Sequence, residues 1–448
     1  MNTKNNTKHA RQYELILLGA TGYTGKFTAQ YIAASLPIDL KWAIAGRNDT
    51  KLASLAEELK RRDGDRIQPG IVVCELGGKE LDALAKTTRL VISTVGPYVK
   101  YGTPIVEACA NNGTHYVDCS GEVPWHLDII KVYHDRARAS GAIVGLNSSH
   151  SLPTPFTTCY SPACSHLRSK MIPQCGFDSV PADLIAYSLA TYIRRTFNCG
   201  TLEVIAALDS NSAPSGGSLN TLFTGPKYHT PAQVAAAYKP FALSSTQPPP
   251  TSVSKALSWR KWLFGTRWDK DLGLLTGCFQ SALDMALVQR SWGLFDHGKL
   301  YGENFGYSEW AMAGSSVGGV LRYFNLWFVV WMMSLAPVRW LMKRFAFQPS
   351  EGPDAESTKH DYAHFKAIGV ADNSASDRAI ATFKFNGSLY FFTGLAIAEA
   401  AMVILRGGKN EARASGGGIL TPATLGEEFI ERLMKQREQK VEITVGRL

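Results

Sequence analysis

Two rhythms of apolar and polar positions alternate along the first third of the chain, and together they predict a parallel, doubly wound α/β sheet. Strand-length apolar runs occur at Tyr13–Leu18, Lys41–Ala45, Ile71–Glu75, Leu90–Thr94 and His115–Asp118. The segments between them carry helical spacing, as in Leu52, Leu55 and Leu59. Their ends are readable. Pro37 closes the first helix, Asp49 suits the N-cap of the second, Thr103-Pro104 opens the fourth as cap and first-turn residue, and Gly113 stops it.

The first strand runs into Gly19-Ala20-Thr21-Gly22-Tyr23-Thr24-Gly25, and a helix-like segment follows at once. Three glycines spaced three apart suit a dinucleotide pyrophosphate site. They permit a tight turn, a close approach of backbone to phosphate, and close packing of helix on strand. The N–H groups at the helix start would face the anion. All seven residues are candidate cofactor contacts; the alternative is a strand–helix turn with no ligand. The end of the second strand weighs against that alternative. An NAD-selective unit usually has a carboxylate there for the ribose 2′-hydroxyl, whereas this chain has Arg47, with Lys51 one helical turn on. An acid would repel a 2′-phosphate and a guanidinium can grip it bidentately. The expected cofactor is therefore NADPH.

Behind the fourth strand, Thr94, Gly96 and Pro97 would shape a loop under the nicotinamide side, with Tyr98 facing substrate or lying as a surface aromatic beside an ordinary turn. After the fifth strand, Asp118 and Glu122 could position substrate or cap the helix starting near Pro124.

Bulk properties narrow the class. A chain of 448 residues holds two or three domains. The formal charge of +9 fits anionic cofactors, acyl carriers or lipid head groups, but the basic residues are scattered and form no nucleic-acid module. Eight cysteines lack CxxC pairs and metal-ligand spacing, which points to free thiols in a reducing cytosol and to no metal. Residues 1–12 read as a disordered tail, with no apolar core of a secretory signal. The stretch Phe324 to Val338 is strongly apolar, with two tryptophans and flanking Arg322, Arg339, Lys343 and Arg344. It falls short of the ~20 residues of a spanning helix. The expectations are a core or oligomer-interface helix, contact with a membrane surface, or a true span.

With GATGYTG, AGR, STVGPY and YVDCSGE in that order, the first third resembles the saccharopine dehydrogenase-like oxidoreductases, and more closely their trans-acting enoyl reductase branch. The resemblance continues in Pro173-Gln174-Cys175-Gly176-Phe177-Asp178-Ser179-Val180-Pro181-Ala182-Asp183-Leu184, in Ser215-Gly216-Gly217-Ser218, in the run Tyr301 to Glu309, and in the run Gly417 to Thr424. It implies an N-terminal Rossmann domain over 13–142, completed by 171–185 and 416–448, and an α+β substrate domain over 186–415. It also implies NADPH-linked reduction of a carbon–carbon double bond on an acyl or polyketide chain, in lipid or secondary-metabolite biosynthesis, with the substrate presented by a carrier protein or synthase. The chain departs from the family at 143–170, a Ser-, Thr-, Pro- and His-rich run without helical or strand rhythm. That run reads as an intron retained in frame or a surface insert. At 386–398 the turn that relatives carry is missing, while Tyr390 and Thr393 remain.

For such a reduction the hydroxyl donors Tyr98, Tyr301 and Tyr307 are the catalytic candidates, with Ser179 or Ser120 weaker ones. Asp178 suits a cap for a helix beginning near Pro181, and Cys175 a small buried side chain. Two rival readings stand. One is an imine-reducing amino-acid dehydrogenase, for which Arg194, Arg195, Lys227, Arg260 and Arg290 would have to clamp two carboxylates. The other is a lipid-surface protein that has kept a nucleotide fold. The expected setting is cytoplasmic, peripheral to a membrane or lipid droplet.

Overall fold

The computed structural model describes residues 11–139, 169–211, 220–249, 264–345 and 351–448, apart from 63, 222, 355, 409 and 437–439. Most of the unusual 143–170 run, and all of Ser215-Gly216-Gly217-Ser218, lie outside the described residues. The first domain is built from β1 (Tyr13–Leu18), α1 (Tyr23–Ser35), β2 (Trp42–Gly46), α2 (Asp49–Arg62), β3 (Gly70–Val73), α3 (Gly78–Thr87), β4 (Thr88–Ser93), α4 (Tyr98–Asn112), β5 (His115–Asp118), α5 (Val123–Ala139) and β6 (Lys170–Ile172). Its strands are parallel, in the order β6-β5-β4-β1-β2-β3, so the winding reverses between β1 and β4. Leu15 to Leu18 and Leu90 to Ile92 are wholly buried, as expected of central strands covered on both faces.

After α6 (Val180–Phe197) a second sheet begins. Its elements are β7 (Thr201–Asn211), α7 (Pro231–Ala237), β8 (Thr266–Asp269), β9 (Gly273–Thr276), α8 (Ser281–Leu294), β10 (Gly306–Met312), α9 (Ser316–Ser334), α10 (Ala336–Phe345), β11 (Tyr362–Ala371) and β12 (Arg378–Asn386). Then follow α11 (Leu389–Arg406), α12 (Glu411–Ala414), β13 (Gly418–Ile419), α13 (Gly426–Met434) and β14 (Val441–Arg447). The second sheet runs β14-β12-β11-β7-β10-β9-β8 and is antiparallel except where β10 meets β7. The chain is thus an α/β Rossmann domain joined to an α+β domain.

The tail divides between the two sheets. β13 pairs with β6 in the first, while β14 pairs with β12 in the second. The run from 416 onward therefore does not return wholly to the nucleotide domain.

α11, expected in the substrate domain, is the part both domains share. It is apolar on all sides and buried along most of its length, which is the signature of a core helix. It packs on α1 and against β4 and β5. A Cβ on Gly394 would sit 2.9 Å from the Thr28 backbone nitrogen, so glycine is what allows the two helices to approach so closely. On its other side Phe392 is fully buried against Phe177, Phe383 and Phe385. The Tyr31 hydroxyl donates to Glu399 Oε1 at 2.5 Å, and Arg432 stands 3.3 Å from Glu399 Oε2, tying α1, α11 and α13 together.

Three local expectations are corrected. α4 begins at Tyr98 rather than at Thr103, with Pro104 inside it, because Glu122 takes the Tyr98 and Val99 N–H groups at 2.8 and 2.7 Å and so caps the helix earlier. Asn48, not Asp49, caps α2, accepting from the Lys51 N–H at 2.9 Å. The 324–338 stretch is no core helix: it falls on α9 and α10, whose large apolar side chains face outward.

Truncating Phe392 leaves a cavity between three aromatic rings from both domains. Phe392→Ala is expected to lower stability by about 3–5 kcal/mol, read as a fall in the thermal unfolding midpoint with both domains melting together.

Candidate active site between the two domains

The glycine turn has the geometry its sequence requires. Gly19 has φ +89°, and a Cβ there would meet Thr94 Oγ1 at 2.8 Å and Val95 Cγ2 at 2.9 Å. A Cβ on Gly25 would lie 2.1 Å from the Gly19 carbonyl oxygen. Neither position admits a side chain. Gly22 is the N-cap of α1, and the first turn carries no side-chain cap and no acidic residue. Its N–H groups are thus left to an anion. Thr94 is spent on the loop itself: its hydroxyl lies 3.1 Å from the Gly19 carbonyl and 3.3 Å from that of Leu18.

Two lysines and two glutamates, Lys26, Lys51, Glu58 and Glu351, line a cavity of about 360 Å³ beside this cradle, together with Thr21 and Ser54. Arg47 is exposed at the end of β2. Lys26 was not singled out from the sequence. Tyr23 turns away from the cradle: its ring packs edge-on against Tyr390 at 4.9 Å and its hydroxyl donates to the Pro353 carbonyl at 2.6 Å. A strap from the second domain, Glu351 to Asp354, therefore lies across the start of α1. This donor set of free helix-start N–H groups, glycine cradle and unpaired cations fits a 2′-phosphorylated dinucleotide.

Beyond β5 and β6, on the side of the sheet that would receive the nicotinamide, the loops open into a cleft. Gly121 faces Leu283 and Asp178 there. Asp178 is surrounded by protein yet reached by solvent along the cleft, and Gln280 Nε2 donates to its Oδ1 at 3.2 Å. Burial raises its carboxyl pKa. It does not cap α6; the N-cap is Ser179.

Directly behind lies a buried acid cluster. Asp284 of α8 faces Glu309 of β10, both fully enclosed. The Tyr307 hydroxyl donates to Glu309 Oε2 at 2.8 Å, and Cys278 Sγ lies 3.5 Å from Oε1. Neither Asp284 oxygen has a hydrogen bond of good geometry, although the Ser179 hydroxyl favours its anion. Desolvation raises both carboxyl pKa values, and the Glu309 charge raises that of Asp284 further, while hydrogen bonding to Asp284 and Tyr307 partly offsets the rise at Glu309.

The three tyrosines expected to contact substrate are placed otherwise. Tyr98 is buried in the first domain, its hydroxyl donating to the Ser93 carbonyl at 3.0 Å and its ring against Trp125. Tyr301 is buried between Phe295 and Phe305 in the second domain, away from the cleft. Tyr307 is in the cluster but spends its hydroxyl on Glu309. Gly96 and Pro97 precede α4, whose N-terminus Glu122 already occupies. Asp118 is structural, accepting from Tyr116, Ser120 and the Gln174 N–H. Asp284 and Gln280 had been overlooked; an acid inside the apolar run Ala282-Leu283-Asp284-Met285-Ala286-Leu287 was the available signal.

Residues 15–144 match the model of the saccharopine dehydrogenase NADP binding domain. Over that span the chain is similar to the saccharopine dehydrogenase-like oxidoreductases. It is an NADP-dependent oxidoreductase, and its cofactor is NADPH. Full-length likeness is to proteins named trans-acting enoyl reductase. That of Mycobacterium ulcerans is 28% identical over 94% of this chain and 96% of its own. Those of Mycobacterium tuberculosis and Mycobacterium leprae are 28% and 27% identical over the same shares. Among solved structures, apo saccharopine dehydrogenase from Saccharomyces cerevisiae covers 97% of this chain and all of its own, at 12% identity and a TM-score of 0.47.

Two outcomes are expected. Arg47→Ala should weaken NADPH binding by about tenfold or more, as loss of a charge-assisted phosphate contact implies, and leave NADH binding unchanged in a fluorescence titration. The raised Asp284–Glu309 pair stabilises the fold while protonated, and that contribution is lost as pH rises through the raised values. Thermal stability should therefore fall as pH rises above the ordinary carboxylate range, and Asp284→Asn should flatten that slope.

Proposed function

We propose that this oxidoreductase is a trans-acting enoyl reductase, saturating the carbon–carbon double bond of an acyl or polyketide intermediate in lipid or secondary-metabolite biosynthesis. The substrate would be a thioester presented by a carrier protein or synthase, in the cytoplasm. The observation that supports this reading is the buried Asp284–Glu309 pair with raised pKa values, close enough to Asp178 to feel its charge. NADPH, when bound, supplies the hydride to the β-carbon. The chain must then hold the thioester, exclude water and deliver one proton to the α-carbon. In this reading Asp178 donates that proton and the Asp284–Glu309 pair restores it. Phe279 and Leu283 give the cleft mouth an apolar lining suited to an acyl chain.

Imine reduction between an amino acid and a keto acid would need convergent cations; Lys227 is exposed, and three of the arginines are engaged elsewhere. Arg194 donates to the Leu300 and Lys299 carbonyls, Arg195 pairs with Glu427 at 2.8 Å, and buried Arg290 donates to the Leu243 and Ile419 carbonyls. Arg260 lies outside the described residues.

The test is anaerobic oxidation of NADPH with 2-enoyl thioesters on a carrier, set beside lysine plus 2-oxoglutarate. Turnover of the first alone is expected; turnover of the second alone would overturn the reading. Asp178→Asn should lower kcat by roughly a hundredfold, as for loss of a general acid, with NADPH affinity unchanged in the same preparation.

A further inference from the structure

Among the described residues, the α9–α10 arm is an extended apolar surface that the reductase reading leaves unused. One stripe of α9 holds it to the second sheet. Gly319 packs on Thr276 and Ala313, while Tyr323 and Leu326 lie against Gly277. The remaining faces look outward. Val317 is 71% exposed, Trp327 55%, Trp331 57% and Trp340 63%, with Leu321, Phe324, Phe328 and Val329 exposed among them. Contiguous exposure on this scale marks a contact surface.

The charges say what it contacts. No acidic residue occurs between Glu309 and Glu351, whereas Arg322, Arg339, Lys343 and Arg344 all fall in that interval. Arg322 and Arg344 are exposed beside the apolar face, and the Arg344 guanidinium lies 5.5 Å from the centre of the Trp340 ring. Tryptophans interleaved with cations match the boundary between acyl chains and anionic head groups. A symmetric contact with a second copy would instead bring Arg322 and Arg344 towards like charges. A span is excluded by the construction of the arm. Arg322 and Asn325 sit in the first half of α9, and the Gly319–Tyr323–Leu326 stripe is already committed to the sheet.

We propose that α9 and α10 form an interfacial docking surface that lays its outward apolar face on an anionic phospholipid bilayer. The helices lie in the membrane plane, tryptophans towards the acyl chains and guanidinium groups among the phosphates.

Flotation of the full chain with phosphatidylcholine vesicles, with and without about one-third phosphatidylserine, tests this. The protein should float with the anionic vesicles, and binding should weaken as salt rises. Brominated lipid should quench tryptophan fluorescence of the unaltered protein, a readout that needs no variant. Trp327→Ser with Trp331→Ser, or Arg322→Glu with Arg344→Glu, should each reduce bound protein by about tenfold or more, with NADPH binding retained as evidence of folding. No flotation and no quenching by the unaltered chain would overturn the proposal. So would a stable dimer that the tryptophan substitutions dissociate, since the arm would then be covered by a second copy.

Discussion

One helix decides how the two halves of this protein face each other. α11 is apolar around its whole circumference, and no single sheet could bury it. It closes the face of the nucleotide sheet through α1, β4 and β5 while Phe392 reaches the aromatic core of the second sheet. Gly394 sets the spacing on one side, and the Tyr31–Glu399–Arg432 linkage fixes the rotation. The shared element also packs against β5, whose carboxyl end leads towards the loop carrying Asp178. Thr393, whose hydroxyl accepts from the Phe177 N–H at 3.1 Å, anchors the loop that carries Asp178 to the same helix.

Much of this was legible in the amino-acid sequence, and the boundary of legibility is physical. Strand runs and glycine turns are local, so the five strands, the Gly19–Gly25 cradle and the left-handed stop at Gly113 could be read directly. Arg47 was legible because its chemistry replaces an expected carboxylate at a fixed place. What failed depends on partners distant in sequence. Glu122 caps a helix more than twenty residues before it, which moves the start of α4. A tyrosine hydroxyl reads the same whether it meets substrate, as expected of Tyr301, or is closed into a core. Asp284 and Glu309 become a facing pair through packing of α8 on β10, which no local pattern announces.

The acid cluster and the cation cradle divide the chemistry between the two ends of the crevice. At one end, exposed ammonium and guanidinium groups suit a dianion. At the other, enclosure raises the pKa of the facing carboxyl groups. Ordinary side chains thus provide opposite services on either side of the point where the sheet reverses its winding.

The strap across Tyr23 adds a mechanical dimension. Phe345, the last residue of α10, and Pro353, which receives the Tyr23 hydroxyl, are separated by a short run of chain. Gly352 lies against the Tyr23 ring and Pro353 takes its hydroxyl, so a shift of this strap is felt at the first turn of α1. The second domain thus touches the entrance of the nucleotide cradle directly.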